Sequence, residues 1–353
     1  MSQIEFNQVA KIKVFGIGGG GCNAVSRMVE EGVQGVDFYV VNTDLQVLQA
    51  SPVANKIILG NLGAGANPEV GRRAAEENEE AIREAIKGAD MVYITAGMGG
   101  GTGTGAAPVF ARVAKEEGAL TVGIVTKPFT FEGRRRTEQA LQGLEELSEY
   151  VDSLIVVSND QLLRVIGNVP LIDAFKEADN VLRQGVQTVT DLIAVPSLIN
   201  LDFADVRSVM EGQGSALIGI GMAQGDKKAQ EAASKAIHSP LLEAQINGAK
   251  KAIVNITGGN TVTLQDANEA AEFIREAAGQ NLDVIFGVSI NEKIGDAIIV
   301  TVIATGFELV DRKPAAPKAT VRSAAEISEV VKTETTPQVE IEENDIPKFF
   351  RYR

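Results

Sequence analysis

The chain has 353 residues, of which 44% are apolar and 23% charged, so its length and composition predict a soluble globular protein of about two domains. The 47 acidic residues outnumber the 33 basic ones and give a net charge of −14, which argues against general nucleic-acid binding. A single cysteine, Cys22, and a single histidine, His238, exclude an internal disulfide and a Cys/His zinc site. No G-x-S-x-G sequence accompanies His238, as a hydrolase elbow would.

No stretch of the sequence has the pattern of a secretory signal or a membrane span. Residues 1–8 are polar and lack the basic-then-apolar layout of a signal peptide. The longest apolar stretch, residues 297–304, is too short to cross a bilayer and predicts a buried strand. We therefore expect a cytoplasmic protein without direct membrane insertion.

Apolar runs alternate with helical patterns through the first half of the chain. This alternation, with near-continuous apolar strands, predicts an α/β fold with a doubly wound parallel sheet covered by helices on both faces. The expected strands are residues 12–18, 38–41, 57–59, 91–96, 120–126 and 154–158. The expected helices are residues 22–31, 68–87, 104–117 and 132–150.

A long helix is predicted over residues 171–194, where apolar residues recur at three- and four-residue steps and Pro196 follows. Beyond it the pattern predicts a smaller mixed α/β domain. Its expected strands are residues 216–222, 252–256, 284–290 and 298–303, and its expected helices are residues 227–236 and 264–277. The last two strands have a short connection, which favours a hairpin.

The chain beyond the second domain changes composition. Residues 311–344 are rich in Ala, Thr, Glu, Lys and Pro, which predicts a disordered linker. The abruptly aromatic and basic end, residues 345–353, is typical of a peptide that folds onto a partner, or of a frayed terminus. The predicted domains are a nucleotide-binding domain (1–170), a connecting helix (171–195) and a second α/β domain (196–310).

Two glycine clusters each lie between a predicted strand and a predicted helix. The first, residues 16–23, reads GIGGGGCN, and its spacing also matches the G-x-G-x-x-G dinucleotide fingerprint, with Asp44 at the end of the next strand. The second, residues 97–105, has six glycines in nine positions. Backbone amides at helix N-termini bind anions, so the clusters predict a phosphate site for either NAD or a nucleoside triphosphate. No Walker-type lysine motif is present, so amides, Thr102, Thr104 and a cation such as Mg²⁺ would have to suffice.

Smaller features fit the same pocket or have plainer explanations. Residues 63–68 form a third glycine-rich loop or a simple turn. Glu132 and Arg136, four residues apart, would share a helix face as ligand groups or as a surface ion pair. Phe175 and Asp179 would offer a ring and a carboxylate to a guanine base, or Phe175 would pack in the core.

Residues 200–205 read NLDFAD. Asp202 and Asp205 suit an N-cap and a first-turn acid at the start of a helix. The same carboxylates would suit the orientation and polarisation of a water for attack on a γ-phosphate.

Residues 99–105, GGGTGTG, are similar to the signature loop of tubulin. Further matching segments occur in order at residues 16–23, 42–44, 63–68, 131–136, 200–205 and 345–350. Over residues 10–310 and the terminal peptide the chain resembles the FtsZ family, the tubulin-like GTPases of bacterial cell division. The resemblance implies a tubulin-like fold and GTP or GDP as the ligand.

The resemblance also implies roles for particular residues. The nucleotide would be bound by Gly19, Gly20, Gly21, Cys22, Asn23, Gly101, Thr102, Gly103, Glu132, Arg136, Phe175 and Asp179. Phe175 and Asp179 would hold the guanine. Asn200, Asp202 and Asp205 would act in trans, in the nucleotide site of the next subunit, so that hydrolysis requires a head-to-tail protofilament. The filament would form the mid-cell division ring, and residues 345–353 would dock on membrane-tethering division proteins.

Two alternatives remain at this point. An NAD-dependent oxidoreductase would use residues 16–21 but leaves residues 97–105 and 200–205 unexplained. A non-septal tubulin-like filament protein would use the same pocket, although the terminal peptide favours division.

Overall fold

The computed structural model describes residues 10–167, 169–194, 202–239, 248–259, 261–279 and 282–307. Their strands are β1 (Ile12–Ile17), β2 (Val36–Asn42), β3 (Asn55–Ile58), β4 (Met91–Gly97), β5 (Leu120–Lys127), β6 (Ser153–Ser158), β7 (Gly214–Ala223), β8 (Lys251–Gly258), β9 (Asp283–Ile290) and β10 (Ile298–Thr305). Their helices are α1 (Gly18–Glu30), α2 (Leu45–Ala50), α3 (Pro68–Glu77), α4 (Glu79–Ile86), α5 (Thr102–Glu116), α6 (Arg134–Ser148), α7 (Asn159–Ile166), α8 (Leu171–Ala194), α9 (Phe203–Met210), α10 (Lys228–Ile237) and α11 (Leu264–Ala278).

The strands form one ten-stranded sheet in the order β3-β2-β1-β4-β5-β6-β7-β10-β8-β9. Every neighbouring pair from β3 to β7 is parallel, and β10 runs antiparallel to both of its neighbours. A parallel sheet needs helices on both faces because its crossovers lie there. The predicted α/β class is confirmed.

The two faces of the parallel part have separate cores. Alternate side chains of β1 point to opposite sides, so Ile12 and Val14 join the core under α1 and α8, whereas Phe15 and Ile17 join the core under α4, α5 and α6. A third core lies between β7–β10 and the helices α10 and α11. Because β1, β4, β5 and β6 run parallel, their carboxyl ends lie at one edge of the sheet, which we call the carboxyl edge.

Helix α8 has the bounds that its periodicity predicts, Leu171–Ala194. Its 24 residues span about 36 Å. Its buried residues Val186, Val189 and Leu192 pack in the core shared with α1. The approach to β5 is close at Gly185, where an added Cβ would lie 3.2 Å from Ile124 Cδ1.

The predicted helix over residues 68–87 is interrupted. Helix α3 ends at Glu77 and α4 begins at Glu79. Asn78 between them has φ −110° and ψ 19°, and its side-chain Nδ2 donates to the Ala74 carbonyl at 2.8 Å. An asparagine that bonds the local backbone competes with the helical ladder, which explains the break.

The predicted hairpin between the last two strands is wrong. Strand β9 pairs in parallel with β8, and β10 inserts between β7 and β8. Because β10 has a buried, apolar sequence, a central position between two partners buries more of it than a position at the edge of the sheet.

The predicted linker (311–344) and terminal peptide (345–353) lie outside the described residues, so the structure does not test them. Among the described helices, none combines the length and the apolarity needed to cross a membrane.

Candidate nucleotide-binding site

The two glycine clusters meet at the carboxyl edge, at the ends of β1 and β4. Gly18 has φ +72°, and a Cβ on it would lie 2.7 Å from the backbone nitrogen of Gly103. A larger residue would therefore push the two loops apart. The glycines serve both backbone conformation and close approach, which a flexible loop would not require.

The clusters form the first turns of α1 and α5, slightly earlier than the sequence predicts. The N-cap positions, Ile17 and Gly101, make no side-chain capping hydrogen bond. The first N–H groups of a helix have no partner within the helix. Two helix N-termini thus offer uncapped amides to the same space, and their dipoles favour an anion there.

A cleft, here called the glycine pocket, opens between these helices. Of the described residues that line it, Arg136 alone is cationic. The lining residues are Gly19, Gly20, Gly97, Met98, Gly100, Gly101, Thr102, Gly103, Thr126, Pro128, Glu132, Arg136, Asn159, Phe175, Ala178, Asp179 and Leu182.

The two threonines of the second cluster differ in position. Thr102 lines the pocket, and its hydroxyl shares a 2.7 Å hydrogen bond with that of Thr43. Thr104 is buried, and its Oγ1 accepts from the Gly99 backbone N–H at 2.8 Å. Thr104 therefore holds the loop in shape, whereas Thr102 is part of the pocket wall.

Glu132 and Arg136 form an ion pair at 2.9 Å, and both line the pocket. The prediction that they share a helix face is wrong, since Glu132 belongs to the 3₁₀ turn Thr130–Glu132 and α6 begins after Gly133, which has φ 101°. Glu132 also accepts from the Phe129 backbone N–H at 2.9 Å. These bonds fix the carboxylate and place the guanidinium of Arg136 beside the pocket.

Phe175 and Asp179, at the start of α8, line the glycine pocket and a neighbouring side cleft. The Phe175 ring is 42% exposed and packs edge-on to Phe129, with the ring centroids 5.2 Å apart. It therefore presents a free face instead of filling the core. Burial raises the pKa of Asp179 to about 6, and the charge of Arg27 opposes this rise.

Two lining residues escape the sequence analysis. Asn159, at the start of α7, is 5% exposed, and its Oδ1 has no hydrogen-bond partner. Arg27, on α1, lines the side cleft with Asn23, and its Nη2 lies 3.6 Å from Asp179 Oδ2. Asn159 directly follows β6, and the residue after a parallel strand is a common ligand position, so its sequence context carried a usable signal.

The remaining predicted residues of the first cluster occupy different places. Asn23 is exposed and lines the side cleft. Gly21 is buried, and a Cβ on it would collide with the Thr95 carbonyl oxygen. The Cys22 side chain is buried against the carbonyls of Gly16 and Val41, and burial raises its pKa to about 11. Gly21 and Cys22 line neither cleft.

Two other predicted features act as helix caps. Asp44 accepts from the Gln46 backbone N–H at 2.9 Å and caps α2, so this acid is not directed at a ribose in the glycine pocket. Asn67, in the third glycine-rich loop, caps α3 through the Glu69 N–H. That loop supports the second cluster from outside, since a Cβ on Gly101 would lie 2.7 Å from the Cβ of Ala64.

Asp202 and Asp205, here called the acid pair, form a capping box at the start of α9. Asp202 Oδ1 accepts from the Asp205 N–H at 2.8 Å, and the Asp205 side chain reaches the Asp202 N–H at 3.4 Å. The pair lines neither cleft. Asn200 lies outside the described residues.

Helix α9 is anchored at the opposite, amino-terminal edge of the sheet. Ser153, the first residue of β6, donates to the Met210 carbonyl at 2.6 Å, and Gly214 N–H donates to Asp152 at 2.9 Å. The eight residues of β5 span about 26 Å from the amino-terminal edge of the sheet to the carboxyl edge. The eight residues of α9 span only about 12 Å, so the helix is too short to reach from its anchor to the carboxyl edge. The acid pair therefore lies far from the glycine pocket of its own chain.

Within the described ranges, no three carboxylate, histidine or cysteine side chains cluster so as to hold a metal ion. A divalent cation here would depend on ligand oxygens. Mg²⁺ commonly binds in this way, with substrate phosphates and few protein groups.

Two family models match the chain. The model for the Tubulin/FtsZ family, GTPase domain, matches residues 11–167, which include both glycine clusters. The model for the FtsZ family, C-terminal domain, matches residues 214–308, which begin at β7.

Comparison with solved structures points to the same family as the two family models. An empty FtsZ dimer of M. jannaschii is 43% identical with a TM-score of 0.82, and the match covers 84% of this chain and 88% of that one. CetZ2 from Haloferax volcanii, a GTPγS-bound protofilament, is 21% identical with a TM-score of 0.71, and the match covers 86% of this chain and 95% of CetZ2. CetZ1 from the same organism, a GDP-bound monomer, is 21% identical with a TM-score of 0.73, and the match covers 86% of this chain and 96% of CetZ1. Both CetZ structures therefore share the fold of this chain. By its family models and its 43% identity to an FtsZ structure, the chain belongs to the tubulin/FtsZ family of GTPases.

Proposed function

We propose that the protein is a GTPase that polymerises head to tail and completes each hydrolytic site from two subunits. One observation carries the proposal: the glycine pocket lies at the carboxyl edge of the sheet, whereas the acid pair does not line it and begins a helix whose last residue is anchored at the amino-terminal edge. A contact between unlike ends is heterologous, and it produces filaments when the rotation between neighbours does not close into a ring. The similar FtsZ dimer and CetZ2 protofilament support self-association.

The pocket residues have distinct proposed roles. The amides of Gly19, Gly20 and residues 101–103 would hold the phosphates, because these residues line the pocket at two helix N-termini without side-chain caps. Arg136 would neutralise phosphate charge beside Glu132. Mg²⁺ would be carried chiefly by the phosphates, with the Thr102 hydroxyl nearby, and would neutralise charge there.

The base would lie at the other end of the pocket. The free face of Phe175 offers stacking. Ionised Asp179 would accept from the N1–H and the exocyclic amine of guanine. Adenine presents an acceptor at N1, so the same carboxylate would select GTP over ATP. Asn159, with its unpartnered Oδ1, would give a further acceptor.

The acid pair, together with Asn200, would orient and polarise the attacking water in the pocket of the neighbouring subunit. Positioning of the water and of the charge is the main protein contribution to phosphoryl transfer. Loss of the γ-phosphate would remove charge and contacts at the subunit boundary and so weaken the filament.

Specific GTPase activity should rise with protein concentration, because a monomer holds only half of the site. Turnover per molecule is measured over a series of dilutions at saturating GTP, with light scattering recorded in parallel. Scattering with GDP is the control. Equal turnover per molecule at every dilution would show that one chain completes its own site.

In the cell we propose a cytoplasmic filament at the mid-cell division ring. The membership in the tubulin/FtsZ family supports this role. Attachment would use residues 345–353, whose aromatic and basic side chains suit a docking peptide for a membrane-tethering protein.

Deletion of residues 345–353 should leave GTP turnover and filament formation unchanged and abolish binding to tethering division proteins. Sedimentation with GTP and co-sedimentation with a tether-bearing vesicle measure the two properties. A deletion variant that still binds the tether, or that loses turnover, contradicts the role given to this peptide.

A further inference from the structure

Arg27 approaches Asp179 without using up its hydrogen-bonding capacity. Its Nη2 lies 3.6 Å from Asp179 Oδ2, which is too far for a good hydrogen bond but close enough for strong charge attraction. The Asp179 side chain is 16% exposed and that of Arg27 is 29% exposed, so water screens the pair only in part. The carboxylate oxygens thus remain available to a ligand.

The arginine has no competing acidic partner in the described structure. Its Nε is buried and lacks a hydrogen-bond partner, and Asp179 is its one ion-pair partner among the described side chains. Arg183, four residues after Asp179 on α8, has a different partner: it pairs with Glu31 at 3.2 Å. Arg27 is therefore directed at Asp179 from the side cleft.

Several charged groups share the space around Asp179. Lys176 on α8 and Glu30 on α1 line the side cleft with it, and Glu132 and Arg136 line the glycine pocket, already paired with each other. Burial raises the pKa of Asp179, and Arg27 is the neighbour whose charge opposes that rise. An acceptor for two N–H donors must be ionised, so this opposition matters at neutral pH.

We propose that Arg27 is a positioning residue for base selection, whose guanidinium, 3.6 Å from the Asp179 carboxylate, keeps that carboxylate ionised through the neutral range. The proposal rests on the proposed function, in which Asp179 receives guanine. Arg27 touches neither the phosphates nor the hydrolytic water in this arrangement.

The test is the pH profile of nucleotide affinity. Binding of GTP and ATP is measured from about pH 5.5 to 8.5 for the wild type, Arg27→Met and Arg27→Lys. In the wild type, GTP affinity should be constant well above pH 6 and fall below it. In Arg27→Met the fall should move up by about one pH unit, which lowers GTP affinity about threefold at pH 6.5 and leaves it unchanged at pH 8.5.

Two further variants separate charge from packing. Arg27→Lys keeps the charge and should restore most of the wild-type profile. In an Asp179→Asn background, Arg27→Met should no longer move the profile, because the titrating group is absent. Thermal unfolding shows that each variant is folded, and if Arg27→Met does not fold, the profile of Arg27→Gln replaces it.

Equal weakening of GTP binding at every pH, or an unmoved profile, would overturn the role of Arg27. Failure of the proposed function looks different: the wild type itself would bind GTP no better than ATP, or Asp179→Asn would bind GTP like the wild type.

Discussion

Asp202→Asn should bind GTP with unchanged affinity and lose about 10²- to 10⁴-fold in turnover. Asparagine is as good an N-cap as aspartate, so the capping box that begins α9 should persist. The change therefore removes the negative charge and leaves the helix intact. Single-turnover and steady-state phosphate release measure the loss, and nucleotide binding measures the retained affinity.

A control variant shows whether the loss of turnover is specific to Asp202 or follows from the loss of any surface negative charge. Asp226→Asn removes one exposed negative charge from a turn that lines neither cleft, and its turnover should equal that of the wild type. Asp202→Asn should also melt at the wild-type temperature. Wild-type turnover in Asp202→Asn would remove this carboxylate from the hydrolytic step.

Mixing gives a direct test of shared sites. Asp202→Asn retains an intact pocket, and a pocket-defective chain such as Asp179→Asn retains intact acids. With random order along a filament, an equal mixture should recover up to about a quarter of the wild-type turnover, although each chain alone is nearly inactive. Absence of any recovery, with co-assembly shown by sedimentation, would contradict hydrolysis in trans.

Asp179→Asn should lower GTP affinity about 100-fold and raise affinity for xanthosine triphosphate. The carboxylate accepts two N–H groups of guanine, whereas an amide accepts one and donates one. Xanthine replaces the exocyclic amine by a carbonyl, so it pairs with the amide. Competition binding with GTP, ATP and xanthosine triphosphate measures the switch.

Asp179→Ala is the control for this exchange, since it should lose GTP without gaining xanthosine triphosphate. The pH profile adds a second check: below pH 6 the wild type should lose GTP affinity as the Asp179 carboxylate, whose pKa is about 6, becomes protonated. Asp179→Asn has no such group, so its affinity should stay level. A variant that binds GTP as tightly as the wild type would place the base elsewhere.

The pattern within a short segment predicts well which helices and strands form, but it predicts poorly which strands lie side by side in the sheet. The periodicity of α8 gives both of its ends, because an amphipathic helix carries its own signal. The position of β10 depends instead on two strands far away in the chain, β7 and β8. A short connection between β9 and β10 therefore favours a hairpin that does not form.

The candidate site divides in the same way. The glycine clusters are visible in the sequence because close backbone approach leaves a compositional trace, whereas Arg27 resembles any other arginine on an exposed helix face. The NAD alternative drawn from the first cluster is wrong, since the chain belongs to a GTPase family. In the proposed filament, the acid pair meets a nucleotide only in a second molecule, which no pattern within one chain describes.

The opposite positions of the pocket and of α9 also have a mechanical consequence. The parallel strands run from the edge that anchors α9 to the edge where the pocket opens, so in the proposed filament they follow its long axis. Inter-strand hydrogen bonds lie across that direction. A pull along the proposed filament would then be borne by covalent backbone and would shear whole rows of bonds together, which would make each subunit stiff along the filament axis.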